Sequence, residues 1–269
     1  MMQKAKNEPN KTTPSISELQ KIATSIYERN AELVKLDKMK DEFVSIVSHE
    51  LRTPLTIIKN YLWLVTHENT DQVGPDALKR LQIVMQSTER LMLLVEDTLT
   101  VSRIENGRIT IKREPLDLLA RVRYIMDIYH IQAEQKGINV TLDAQVEKAF
   151  VIADVNRIHE VIVNIYGNAL KFTPEGGKIT FVVRRAADNK NYEIVIADTG
   201  PGIPKEKQDK LFTKFGKIDE SYANLPNVNG TGLGLFISQE IMKLHGGSIM
   251  VESEYGHGAK FIVSLPIGE

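Results

Sequence analysis

Residues 43–56 read Phe43-Val-Ser-Ile-Val-Ser-His49-Glu-Leu-Arg-Thr-Pro54-Leu55-Thr56, and they decide how the first part of the chain folds. Between His49 and Thr53 stand an imidazole, a carboxylate, a guanidinium and a hydroxyl, set in an apolar pattern of helical period. At about 100° per residue, Val47 and Leu51 flank the direction that faces away from His49. Packing those two inward turns His49 to solvent. Thr53, one turn on, shares its face, while Glu50 and Arg52 sit on the flanks. An exposed imidazole beside a carboxylate is a candidate nucleophile, because the carboxylate holds one ring nitrogen protonated and leaves the other lone pair free. Alone, such a histidine is ordinary helix surface unless its context confirms it.

Working outward, Leu19, Ile22, Ile26, Leu33, Leu36, Phe43 and Val47 follow a three-four heptad spacing interrupted by Arg29 and Lys40. Ser15 with Glu18 makes a capping box ahead of that helix, and the polar residues 1–14, with Pro9 and Pro14, read as disordered. Residues 1–40 are thus a disordered start and a coiled-coil helix. On the other side the seam continues through Leu51, Pro54, Ile58, Tyr61 and Val65. The step from Val47 to Leu51 is four residues where the heptad asks for three, a stutter centred on His49. Pro54 inside the pattern predicts a kink. Residues 66–75 read as a loop, and Asp76 to Glu105 as a second amphipathic helix. Leu81, Val84, Thr88, Leu91, Val95 and Leu99 share its apolar face, and Asn106-Gly107 stops it. Residues 41–107 are therefore an antiparallel helical hairpin, too apolar on its surface to stand alone. Pairing two copies into a four-helix bundle solves this, so a homodimer is expected.

The remaining composition narrows the class. The chain has 269 residues, enough for one or two cores, with 42% hydrophobic and 26% charged residues. Its formal net charge of -1 gives no electrostatic case for nucleic-acid binding. It has no cysteine, which excludes disulfides, thiolate zinc sites and thiol catalysis and fits a cytoplasmic setting. No apolar run approaches the ~18 residues of a membrane span, so no membrane segment is expected in this chain. A piece of a larger or membrane-linked protein is compatible with that.

Beyond a boundary near residues 107–114 the pattern changes. Helices are predicted at 116–135, 155–171 and 233–244, and strands at 138–142 and 149–153. Two hairpins follow the same reading, 178–185 with 192–197 and 248–253 with 259–265. Residues 114–269 therefore read as an α+β sandwich, one sheet with helices on one face.

Three signals in this second part carry chemistry. Asn164, Asn168 and Lys171, spaced by four and three, line one face of a half-buried helix, with Phe172 directly after it. Two amide oxygens and an ammonium suit Mg²⁺ and the phosphates it bridges. Asp198-Thr-Gly200-Pro-Gly202-Ile203 follows a strand, where a carboxylate can accept the exocyclic amine of adenine and glycines admit close backbone. Gly230-Thr231-Gly232-Leu233-Gly234 opens a helix, and free N–H groups there make an anion site. No strand leads directly into it, so a dinucleotide-binding fold is rejected.

The string Ser48-His-Glu-Leu-Arg-Thr-Pro-Leu55 resembles the phosphoacceptor box of sensor histidine kinases. In order and spacing, the three later signals resemble the N, G1 and G2 boxes of that family's ATP-binding domain, and Leu211-Phe212-Thr-Lys-Phe215 resembles its F box. The likeness covers about residues 41–269. The same ATP-binding fold is shared with type II topoisomerases, Hsp90 chaperones and mismatch-repair ATPases. The resemblance implies ATP and Mg²⁺ as cofactors, with Asn168 the principal metal ligand and Asn164 and Lys171 serving the phosphates. It implies that Asp198 reads adenine and that residues 203–229 form the ATP lid. It implies further that ATP phosphorylates His49, with Glu50 as base and orienter, and that the phosphoryl group passes to an aspartate of a response regulator receiver domain. Thr53 would orient water for the reverse, phosphatase reaction.

Two departures matter. Lys214 and Lys217 stand in the lid where members often offer an arginine. Hydrolysing relatives carry Glu at the position of Asn164, and Asn cannot activate water. An ATP-binding scaffold or phosphatase-biased member with little kinase activity stands as the alternative, and an ATP-hydrolysing chaperone or topoisomerase fragment as a third.

Overall fold

A computed structural model describes residues 16–68, 73–216 and 231–268. The chain divides into two units, Met1–Glu50 and Leu51–Glu269. Helix α1, Ile16–Trp63, begins in the first and carries Pro54 inside its span. Leu19, Ile26 and Leu33 of the heptad seam are exposed along it, Val47 is half-buried and Ser48 is buried. Ser15 of the capping box, and the side chains of Ile22, Leu36 and Phe43, lie outside what is described.

In the second unit α1 pairs with α2, Pro75–Glu105, whose Pro75 follows Gly74 as a pre-formed first turn. Ion pairs Arg52–Glu96 (3.8 Å) and Lys59–Glu89 (3.1 Å) step in opposite directions along the two helices, so the hairpin is antiparallel. The faces it buries differ from the expected ones. Leu55 and Leu62 are buried on α1, Thr66 just beyond it, and Thr88, Val95 and Leu99 on α2. Leu51, Ile58, Tyr61, Val84 and Leu91 stay exposed. Two helices share one line of contact, and among the described residues the wider apolar stripe on each stays exposed.

The loop expected from Thr66 starts later, because Leu64–Glu68 is a π-helical turn. Thr66 Oγ1 donates to the carbonyl of Leu62 at 2.8 Å, and the rings of Trp63 and His67 stack with centroids 5.0 Å apart.

The α+β part holds two additions, a strand before its first helix and a short helix after the strand that ends at Asp198. The helix expected from Leu116 begins at Leu118 (α3, Leu118–Gln135) and is preceded by β1, Glu114–Asp117. Pro115 keeps this stretch extended, and Asp117 Oδ1 accepts from Leu119 N at 3.1 Å to cap the helix. β1 pairs antiparallel with β3, Phe150–Ala153. The main sheet contains β2 (Asn139–Ala144), β4 (Lys178–Arg185), β5 (Asn191–Asp198), β6 (Ser248–Ser253) and β7 (Ala259–Pro266) in the order β2-β4-β5-β7-β6. Only β2–β4 is parallel; the other pairings are antiparallel. Period-two alternation puts Ile179, Phe181, Ile194, Ile196, Phe261 and Val263 on one buried face. Onto it pack α3, α4 (Val155–Phe172) and α6 (Gly234–Leu244), through residues such as Ile125, Ile162 and Ile241. A short helix α5, Lys205–Gln208, lies in the stretch after β5.

Asp154 joins several of these pieces. Its Oδ1 accepts from Asn156 N and Arg157 N at 3.0 and 3.1 Å, capping α4, and its Oδ2 accepts from Lys112 N at 3.0 Å. Its own N–H donates to Nε2 of the buried His245 at the end of α6. Burial by itself pushes this carboxyl up. The N–H donors of Lys112, Arg157 and Asn156, with the Arg157 charge, outweigh it and hold the group below its ordinary value. Asp154→Ala is expected to lower the unfolding free energy by about 1–3 kcal/mol. A group depressed in the folded state contributes fully above its unfolded pKa of ~3.9 and loses the contribution as pH falls through the folded value. Denaturant melts at pH 7 and pH 3 should therefore show a larger wild-type advantage at pH 7.

Candidate functional site

Helix α4 has a continuous apolar face from Ile158 to Leu170, and this fixes where its polar face points. Asn164, Asn168 and Lys171 lie half-buried on that polar face. Asn164 Nδ2 donates to Ser238 Oγ at 2.9 Å, which ties α4 to α6. Its Oδ1 lies against Gly234, where an added Cβ would come within 2.3 Å. A Cβ at that position would push the Asn164 carboxamide aside. The Lys171 ammonium sits 5.0 Å from the Phe172 ring centroid.

Asp198 ends β5, opposite Ile179 of β4. One carboxylate oxygen, Oδ1, accepts from Gly200 N at 2.8 Å and from Ala259 N at 3.3 Å. Burial pushes the carboxyl above its ordinary value, and the two N–H donors pull it partly back. Gly200 abuts α4, since a Cβ there would stand 3.0 Å from the Phe172 carbonyl oxygen. Gly202 has φ +70° and passes so near the Glu254 carbonyl that a Cβ would lie 2.0 Å from it. Ile203 is buried and its N–H donates to Ser253 Oγ at 2.8 Å, which in turn donates to the Gly258 carbonyl at 2.6 Å. Gln208 Nε2 donates to the carbonyls of Ile203 and Ser253 at 2.9 and 2.8 Å. The loop after Asp198 is thus clamped to the β6–β7 turn.

Gly230 and residues 217–229, including Lys217 and much of the expected lid, lie outside the described residues. Thr231 Oγ1 accepts from Leu233 N at 3.2 Å and donates to Asp97 Oδ2 of α2 at 2.6 Å. Gly232 has φ +76°, Leu233 is buried, and α6 starts at Gly234 without a side-chain cap. Its first N–H groups therefore offer an anion site at the positive end of the helix dipole. Burial raises the Asp97 carboxyl, Thr231 lowers it, and Glu160 and Glu96 raise it further. Phe212 packs on the core half-buried, whereas Phe215 has φ +58° and points largely to solvent. Lys214 is paired with Glu105 of α2 and lies 5.5 Å from the Phe236 ring centroid.

The structure thus brings the Asn164 face, the Asp198 loop and the start of α6 together through Gly200 and Gly234, and leaves Phe215 outside the group. A cavity of about 370 Å³ at the ends of β5, β6 and β7 includes Asp198, Ser253, Gly258 and Lys260, but no residue of α4 or α6. Ser238, Ser253, Gln208 and Asp97 were not legible as site residues. A serine inside a helix or at a strand end has no distinctive spacing, and Asp97 read as one more polar position on α2. In the first unit His49 is 76% and Glu50 77% exposed, with Nδ1 of the ring 3.7 Å from Glu50 Oε1. Thr53 is exposed.

Residues 39–107 match the His Kinase A (phospho-acceptor) domain, and residues 153–269 match the histidine kinase-, DNA gyrase B-, and HSP90-like ATPase family. The chain belongs to the sensor histidine kinases. Sensor histidine kinase relatives include WalK of Bacillus subtilis, 34% identical over 87% of this chain and 38% of that protein. Another is the hybrid signal transduction histidine kinase D of Dictyostelium discoideum, 33% identical over 90% of this chain and 16% of that protein. The chain therefore spans well under half the length of these histidine kinases. Among solved structures, full-length ShkA in complex with AMPPNP superposes with a TM-score of 0.69 at 28% identity, covering 84% of this chain and 46% of that one. Histidine kinase ThkA in complex with the response regulator protein TrrA gives 0.59 at 26% identity, covering 90% and 64%. Among the described residues no helix of this histidine kinase chain is long and apolar enough to cross a membrane.

Proposed function

We propose that this chain transfers the γ-phosphoryl group of ATP to His49 and then to an aspartate of a response regulator receiver domain. The observation that carries the proposal is the exposed His49–Glu50 pair in a chain that also folds the Asp198, Asn164 and Gly234 constellation. Asp198 accepts the adenine amine, Gly200, Gly202, Ile203 and Phe172 shape its surroundings, and Lys171 with the α6 N–H groups takes phosphate charge. The oxygens of Asn168 and Asn164 fit Mg²⁺, a hard cation, and Gly234, with no Cβ, lets the Asn164 carboxamide sit at the start of α6. Bound there, Mg²⁺ neutralises charge on the β- and γ-phosphates. In the transfer, His49 Nε2 bonds to the γ-phosphorus and the bond to the bridging oxygen breaks. ADP leaves with that electron pair, and Glu50 takes the Nδ1 proton. Asn164 offers no base for water, so the phosphoryl group is kept for the imidazole.

The helix from Ile16 carries the input signal, residues 41–107 act as phosphotransfer and dimerisation domain, and 114–269 as catalytic domain, working in the cytoplasm. A second reading keeps the binding site but biases the chain toward phosphatase activity. Exposed Thr53, four residues beyond His49 on the same helix, favours it. Incubation with γ-labelled ATP and Mg²⁺ separates the possibilities. Acid-labile, base-stable label on the protein supports the kinase, ATP binding without label supports the second reading, and free phosphate without labelled protein supports hydrolysis.

The exposed Leu51, Ile58, Tyr61, Val84 and Leu91 are covered by a second copy, giving a four-helix bundle. The wild type should elute from a sizing column at twice the 30.3 kDa chain mass. Leu91→Glu should shift it to the mass of one chain. A wild type that runs as one chain would refute the bundle.

A further inference from the structure

Ser238 is 1% exposed, faces α4 from the second turn of α6, and holds the Asn164 carboxamide by its nitrogen. A carboxamide has a donor end and an acceptor end, and Mg²⁺ or a phosphate can each use only one of them. With Nδ2 engaged by Ser238, Oδ1 is the end turned to Gly234, where the α6 N-terminus presents its N–H groups. We infer that Ser238 is a positioning residue for the nucleotide site: it fixes the Asn164 carboxamide with its oxygen toward the metal and phosphates. The inference rests on the proposed ATP–Mg²⁺ reading of this site.

The alternative is a hydrogen bond that only joins two helices. An Nδ2 group donated to a buried hydroxyl satisfies packing in either case, so stability alone does not separate the two. The orientation does. Without the hydroxyl the carboxamide can rotate, presenting N–H groups to a cation that needs oxygen. A residue holding a ligand in this way affects metal affinity by about 10- to 100-fold when removed.

The test uses the whole chain and a fluorescent ATP analogue, titrated with and without Mg²⁺, alongside thermal melts. Ser238→Ala should reduce the Mg²⁺-dependent gain in nucleotide affinity about tenfold. The Mg²⁺-free affinity should stay as in the wild type, and Ser238→Thr, which keeps the oxygen, should restore the gain. Equal losses with and without Mg²⁺, or none, would overturn the inference while leaving the site reading intact. A wild type that binds no nucleotide would sink the site reading and the inference together. Should Ser238→Ala not fold, side-chain amide NMR of the wild type decides. The Asn164 Nδ2 protons should stay protected from solvent exchange when Mg²⁺ and the nucleotide are added; their release would overturn the inference.

Discussion

Asp198→Asn should lower ATP affinity by about 10- to 100-fold, the worth of a hydrogen bond to a charged group, while the domain stays folded. The substitution isolates one oxygen. Both N–H donors, Gly200 and Ala259, end on Oδ1, which an asparagine keeps. What changes is the other end of the group, from an acceptor to an N–H donor. In the proposed pose that end faces the exocyclic amine of adenine, and the substitution turns an attraction into a clash of two donors. Stability should move the other way or not at all. Burial raises the Asp198 pKa in the folded state, so its contribution is greatest below the unfolded pKa and falls as pH rises through the folded value. In its ionised form the buried carboxylate opposes folding, and an uncharged amide relieves that. Isothermal titration with ATP, paired with thermal melts, should show lost binding and an unchanged or higher Tm. Lost binding with a collapsed Tm would make Asp198 a structural residue instead.

His49→Gln should abolish protein labelling from γ-labelled ATP while leaving ATP affinity within about twofold, since His49 lies outside the nucleotide constellation. Glu50→Gln keeps the proposed nucleophile and removes the proposed base. Its autophosphorylation rate should fall by roughly 10²–10⁴, the usual worth of a positioned acid or base. Glu50 Oε1 stands 3.7 Å from Nδ1, so a small side-chain rotation brings it into proton-transfer range. An unchanged rate in Glu50→Gln would remove Glu50 from the mechanism.

Much of this was readable in the chain because the signals are local. Period-two runs at Lys178–Arg185 and Asn191–Asp198 gave the hairpin, and the run from Ile158 to Leu170 gave α4 and the side on which Asn164 and Asn168 lie. Features set by distant partners were not readable. β1 is a strand because β3, more than thirty residues later, pairs with it. The parallel pairing of β2 with β4 has the same origin. Leu51 and Leu55 are both leucines on one helix, and only the line along which α2 packs makes one buried and the other exposed. Asp97 and Glu105 look like solvated positions on α2, yet they hold Thr231 and Lys214, residues far along the chain. The same holds for Ser238, whose partner Asn164 lies on another helix.

The central claim is that one ring nitrogen of His49 receives phosphorus from ATP. Phosphorus NMR of the labelled protein, denatured in base to preserve the phosphoramidate, tests it most directly. Because Glu50 stands beside Nδ1, the account predicts a single resonance of histidine phosphorylated at Nε2, absent from His49→Gln. Phosphorus on another residue, or only inorganic phosphate in solution, would contradict it.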